Sequence, residues 1–264
     1  MVAYGLTQAC LQLPLGWLSD RIGRLPIVIV GLCLFIAGSL VAAAADTIHG
    51  IIAGRFLQGA GAIAAALTAL AADSTRESQR TKAMAVIGAS VGLSFVLAIV
   101  LGPVIAASLG LQGVFLVTAG LGAIGLVIVL TLLPKNMPKA AAIADGDWAV
   151  DHVFGGTLPV LYASVFLLHG LMMATFLIIP GALVNAFAFA AGDHWIIYLL
   201  TVVLSIPPAF LIMRMGRSGE DPRSALSWAI VSLIGAILMA LLAPNLMTVG
   251  AGLWLMFVGI NALE

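Results

Sequence analysis

Nine stretches of this sequence, each close to the length of a bilayer-crossing helix and nearly free of charge, follow one another with short polar breaks between them. They run over roughly 1–18, 26–45, 50–72, 83–107, 112–133, 157–184, 195–213, 225–243 and 246–263. A bilayer core accepts about 20 apolar residues as helix. Lipid offers the backbone no hydrogen-bond partner, so each span must satisfy its own amides and carbonyls, which a helix does. A membrane β-barrel would instead alternate polar and apolar residues over segments of about ten, and no such alternation is present. The predicted fold class is all-α, a polytopic membrane protein.

Composition agrees. Hydrophobic residues make up 62% of the chain, charged residues only 8%, and mean hydropathy is +1.20. Soluble domains carry about 25% charged residues, so this chain cannot cover a water-facing surface. The formal net charge is zero, which argues against nucleic acid as a partner. Cys10 and Cys33 both fall in apolar runs, lack metal-ligand spacing and are expected to be small buried hydrophobes. No basic region precedes the first apolar run, so no cleavable signal is expected.

Lys and Arg occupy every second connection. Arg21 and Arg24 lie in the first, Arg76, Arg80 and Lys82 in the third, Lys135 and Lys139 in the fifth, and Arg214, Arg217 and Arg223 in the seventh. The connections around Asp46, Leu109, Asp193 and Pro244 hold none. The positive-inside rule makes the basic loops cytoplasmic and the N-terminus external. Trp17, Trp195, Tyr198 and Trp228 fall near the expected interfaces, where amphipathic rings anchor.

Residues 134–156 form the longest polar break, with two prolines, mixed charge and a Gly-Gly pair. They read as a cytoplasmic linker between an N-terminal membrane half, 1–133, and a C-terminal half, 157–264. Asp145, Asp147, Asp151 and His152 in it are read as solvated residues rather than a metal site, and no metal is expected elsewhere. LSDRIGR, Leu18 to Arg24, is echoed across the linker by LIMRMGR, Leu211 to Arg217. Two related halves are a known transporter design.

GWLSDRIGRLP, Gly16 to Pro26, resembles motif A of the major facilitator superfamily, G-x-L-x-D-R-x-G-R-x-P. RFLQGAG, Arg55 to Gly61, resembles motif B. Gly88 and Gly92, followed by Leu101, Gly102 and Pro103, resemble motif C, the antiporter motif, although Ala106 and Ala107 stand where that motif often has glycine. YGLTQACLQLPLGWLSDRIGR and DSTRESQRTKAMA look like the YajR-type drug:proton antiporter branch. The resemblance covers essentially the whole chain and implies two pseudo-symmetric helical halves. Laid onto a twelve-helix family, the nine spans correspond to helices two to ten, so a fragment lacking the first and last two helices is expected.

The resemblance assigns roles. Gly16, Asp20, Arg21, Gly23 and Arg24 would form the motif A gate, which clips the two halves together when the transporter faces outward, with Asp20 capping the eleventh helix. From the residues alone, Gly23 permits close approach or positive φ. Arg24 is suited to pairing with a carboxylate, and Asp73 is the candidate. Arg55 is the only strong charge inside a span. It either snorkels to the outer interface or, with Gln58 one turn on, presents donors to a central cavity; motif B implies a part in proton coupling. His169 lies mid-span, suited to proton exchange or to hydrogen-bonded packing. Met172, Met173 and Phe176 share its helical face, as an adaptable substrate lining or as plain packing. Glu264, on the face of Asn261, is a candidate proton acceptor. Gly88, Gly92, Gly54, Gly59 and Gly61 would allow close helix approach, and Gly102-Pro103 would kink its span.

The expected function is secondary active transport. It would be proton-coupled efflux of small amphipathic compounds by a monomer in the inner or plasma membrane, with the proton gradient as energy source and no cofactor. A non-transporting receptor on the same scaffold, or an inactive truncated fragment, are the alternatives. An integral membrane enzyme would need clustered His, Asp or Glu in the spans, which hold almost none, and a channel would show charge rings or filter loops. No Walker G-x-x-x-x-G-K-[ST] run is present to support ATP drive.

Overall fold

In a computed structural model, residues 2–133, 158–188, 191–217, 222–242 and 245–263 are described. The 134–156 linker and its acidic cluster lie outside them, as does Glu264. The described residues form helices joined by tight turns, with no strand among them. The chain divides into two compact units. One comprises Met1–Phe95 and Val104–Asp147, the other Val96–Pro103 and Trp148–Glu264.

The first unit begins with α1, Val2–Ile22, and α2, Arg24–Ala43, separated by Gly23 alone. Gly23 has φ 104° and ψ 151°, a conformation side-chain-bearing residues rarely adopt, so a single glycine makes the break. Thr47 then starts α3, Ile48–Ala60, its hydroxyl accepting from the Gly50 amide at 3.2 Å. The expected continuous span over 50–72 is interrupted: α3 ends at Ala60, Gly61–Ile63 are not helical, and α4 runs Ala64–Asp73. Gly59 and Gly61 weaken the helix here. Ile63 fills the space left by the missing side chain of Gly31 on α2.

After a 3-10 turn at Glu77–Gln79 comes α5, Arg80–Leu132. As one straight helix its 53 residues would reach about 80 Å, far more than the bilayer core of about 30 Å. Gly110, with φ 66° and ψ −173°, breaks it where a turn around Leu109 is expected. Beyond that break, Val129 packs with Ile27, Val28 and Ala66, and Phe115 with Ala42 and Ala43, giving the unit two buried clusters on α2.

Close contact between α2 and α3 depends on glycine. A Cβ on Gly38 would lie 2.7 Å from the Gly54 carbonyl oxygen, and one on Gly54 would lie 2.6 Å from the Ala42 amide nitrogen. Gly59 has the same role against Tyr4 and Thr7 of α1, and Gly61 against Gly31. Gly88, Gly92 and Gly102 do not: a Cβ on any of them would meet nothing within 4 Å. Close packing expected at motif C is therefore absent among the described residues. Both cysteines are exposed rather than buried. A chain solvated by lipid can turn a thiol outward without cost to the hydrophobic effect.

In the second unit α6 spans Leu158–Phe187, α7 His194–Arg217, α8 Pro222–Leu242 and α9 Leu246–Leu263. α9 packs against both α7 and α8, placing Met256, Phe257 and Ile260 in the core. Asn245 and Thr248 cap α9 reciprocally, each side chain accepting the other's amide, at 3.1 and 2.8 Å. Tyr198, expected as an interface anchor, is instead buried, its ring centroid 5.1 Å from that of Phe176. Phe176 also meets Phe257 of α9 edge-on, their ring centroids 6.1 Å apart, so its ring adjoins both Tyr198 and Phe257.

Five segments of the described chain are long and apolar enough to cross a membrane: Arg24–Ala43, Ile48–Asp73, Glu77–Leu132, Phe166–Asn185 and His194–Ile212. Ser227–Met239 and Leu246–Ala262 are shorter apolar helices. α1 has the length but not the apolarity expected of its span. Gln8 and Gln12 lower its hydropathy, and with Tyr4 they recur every fourth residue, making a polar stripe down one face.

Candidate functional site

The motif A residues converge at the end of α1. Ser19, fully buried, donates to the Gly16 carbonyl at 2.6 Å and accepts from Arg24 Nη1 at 2.7 Å. The same Nη1 forms an ion pair with Asp20, and Arg24 Nε donates to Asp73 Oδ2 at 3.1 Å. One guanidinium thus ties the end of α1 to the end of α4, bridging two carboxylates rather than forking onto one. The positive φ of Gly23 turns the chain so that Arg24 points back at Ser19 and Asp20. Arg21 faces elsewhere, its guanidinium carbon 4.1 Å from the ring centre of Trp17. Gly16 leaves room for Ala65 of α4; a Cβ there would sit at ordinary contact, 3.5 Å. Ser19 is a member the sequence reading missed, since it falls at a variable position of the motif.

A second polar chain crosses from α2 to α3. Arg55 Nη1 donates to Gln58 Oε1 at 2.9 Å, Gln58 Nε2 donates to Ser39 Oγ at 2.6 Å, and Ser39 Oγ donates to the Phe35 carbonyl at 2.7 Å. Gln58 and Ser39 are almost completely buried. Arg55 can only donate and the Phe35 carbonyl can only accept, so the Gln58 amide presents its oxygen to Arg55 and its nitrogen to Ser39. The Arg55 guanidinium also lies over the Tyr4 ring of α1, 4.7 Å from its centre. Arg55 is therefore held against Gln58 of its own helix and Tyr4 of α1. Ser39 was not foreseen as the anchor of this chain, because serine inside an apolar helix gives no sequence signal of its cross-helix partner.

The remaining predicted residues do not join these clusters. Gly88 and Gly92 belong to the first unit, Gly102 and Pro103 to the second. His169 is exposed on α6 of the second unit. Of the face it shares, Phe176 turns into the core while Met173 is 54% exposed, so the stripe does not line one surface. Asn261 donates to Ser205 Oγ on α7 at 2.9 Å, and Glu264 lies outside the described residues. No group of three or more His, Cys, Asp or Glu capable of holding a metal occurs among the described residues.

Residues 1–263 match the Major Facilitator Superfamily, and the chain belongs to that family of membrane transporters. It is 39% identical over 273 residues to the inner membrane transport protein YajR of Escherichia coli K12, covering 99% of this chain and 58% of the relative. It is 29% identical over 202 residues to the multidrug resistance protein MdtL of Escherichia coli SMS-3-5, covering 74% of this chain and 51% of MdtL. A bacterial homologue of the human lysosomal transporter Spinster, solved inward-facing and occupied, shares the fold. Its TM-score is 0.68 at 14% identity, over 98% of this chain and 62% of that one. The chain thus spans under two thirds of the length of these relatives.

Proposed function

We propose that this chain provides most of the moving parts of a secondary active transporter that expels small amphipathic compounds in exchange for protons by alternating access. The observation that carries this reading is the Arg24 bridge. It ties α1 to α4 through Asp20 and Asp73 with a geometry that can be made and broken without covalent change. A gate needs such a contact: strong enough to bias one conformation, and partly exposed so that it can reopen. Family membership supports transport, and the similarity to MdtL, named for multidrug resistance, supports efflux.

In this reading Gly16, Asp20, Arg21, Gly23, Arg24 and Asp73 gate the cytoplasmic side. Arg55 and Gln58 take part in proton coupling, and His169 and Glu264 are further candidates for it. Gly88, Gly92, Gly102 and Pro103 act as the antiporter motif that the family resemblance assigns. The basic loops are cytoplasmic, the protein is a monomer of the inner membrane, and the proton gradient supplies the energy without a cofactor. Changing Asp20 to Asn is expected to lower proton-driven efflux while membrane insertion stays normal. Normal efflux by that variant would remove the gate from the mechanism.

A further inference from the structure

A cleft of about 560 Å³ lies within the first unit, between α1, α4 and the first turns of α5. Its volume is in the range of small-molecule sites. The floor is the alanine face of α4, from Ala64 to Ala72, with Thr68 among the methyls. Gln12 of α1 and Arg80 and Met84 of α5 edge it. Alanine leaves open the space that a larger apolar side chain would fill, and the wall stays apolar. The polar groups stand at the two ends.

At one end Arg80 Nε donates to the Ala72 carbonyl at 3.3 Å, which anchors the guanidinium beside the last turn of α4. Among the described residues this is the one hydrogen bond of Arg80, and it makes no ion pair. Most of the five N–H donors of its fork are therefore open to a ligand. Across Arg76–Lys82 three cations stand against one carboxylate, Glu77, so this end favours an anion. Gln12 lies toward the other end. Gly16, one turn further along α1, faces Ala65, which sets Gln12 level with the start of α4. The Gln12 side-chain oxygen is buried and meets no donor among the described residues. Such an acceptor is costly until something supplies a donor, and a turn of the terminal amide offers it to the cleft that the side chain already lines. From Ala64 to Ala72 the helix rises about 12 Å.

We infer that this cleft binds a rod-shaped organic anion. Its carboxylate or sulfonate sits on the open edge of Arg80, its apolar body lies on the alanine face of α4, and a hydroxyl about 12 Å away donates to Gln12. The inference goes beyond the transport reading, since binding here stands whether or not the occupant is carried.

The test is equilibrium dialysis of the purified protein in detergent against three para-substituted biphenyl rods. One carries a carboxylate and a hydroxyl at opposite ends, one the carboxylate alone and one the hydroxyl alone. The hydroxy acid is expected to bind about tenfold more tightly than the rod without the acid, the scale of a charge-assisted hydrogen bond, and about fivefold more tightly than the rod without the hydroxyl, the scale of a neutral one. Arg80→Gln should erase the preference for the acid and Arg80→Lys should keep part of it, which separates loss of charge from loss of fold. Gln12→Leu should erase the preference for the hydroxyl and leave that for the acid. Equal binding of the three rods, or either preference surviving its own variant, would overturn the inference. Counterflow in proteoliposomes separates the two readings. Selective binding without flux fails the transport reading alone, and flux with equal binding of the three rods fails this one alone.

Discussion

The indole N–H of Trp254 on α9 donates to the carbonyl of Leu204 on α7 at 2.9 Å. In an unbroken helix that carbonyl would accept from the amide of residue 208, which is proline and has none. Pro208 thus frees the Leu204 carbonyl of α7, and Trp254 of α9 takes it up, while Asn261 of α9 ties the neighbouring Ser205 hydroxyl. In lipid no water would take over the freed carbonyl. Trp254→Phe keeps most of the ring's packing but removes the donor, and is expected to cost about 1 kcal/mol. In a Pro208→Ala background, where the backbone amide returns, the same change should cost clearly less. Thermal unfolding of the four proteins in detergent measures the cycle, and equal costs in both backgrounds would show that the indole bond does not answer the proline.

At the gate, Arg24→Lys tests whether a fork is needed. A lysine can satisfy one of Asp20, Asp73 and Ser19 well but cannot hold all three in a fixed plane. The side chains of Asp20 and Asp73 are 27% and 33% exposed, so the stability cost should stay at or below about 1 kcal/mol. Transport should fall far more than stability. Comparable efflux by the lysine variant would mean that any cation serves.

Glycines of two kinds can be told apart. Gly38→Ala drives a methyl into the α3 backbone, and the destabilisation expected is about 2–3 kcal/mol, the scale of overpacking. Gly88→Ala meets nothing within 4 Å and should be neutral or stabilising, by up to about 1 kcal/mol from helix propensity. Melting temperatures of the pair read this directly, and similar losses at both sites would contradict the packing described for α5.

Ser39→Ala removes the hydroxyl that receives the Gln58 amide and leaves a buried N–H without an acceptor. A loss of about 1–3 kcal/mol is expected. Ser39→Ala and Gln58→Leu together should cost less than the sum of the two alone, because the leucine no longer needs the acceptor. Simple additivity in unfolding experiments would show that the relay is not a unit.

Much of this fold was legible in the sequence because lipid leaves so few choices. Apolar run length placed the helices, and Gly23 and the turn near Leu109 were readable from glycine and from loop spacing. The break at Gly61–Ile63 was not, because Gly, Ala and Ile continue an apolar run. The helix stops there through what Gly31 omits, thirty residues away on α2. Asp73 could be named as a partner for Arg24 since few carboxylates end a neighbouring span on that side. Ser39 and Ser19 could not be named, because a buried serine reveals its partner only when the helices are assembled. The polar stripe of α1 was present in the letters throughout, at four-residue spacing, but reads as an ordinary span until Arg55 is seen beside Tyr4.

The most direct test of proton-coupled transport is flux in proteoliposomes containing the protein that carries this chain, with an imposed pH gradient and radiolabelled amphipathic anions, neutral compounds and cations. Accumulation of at least one class should follow the gradient, collapse with a protonophore and fall in Asp20→Asn. Flux indifferent to the protonophore, or none of any class from protein that inserts and folds, would contradict it.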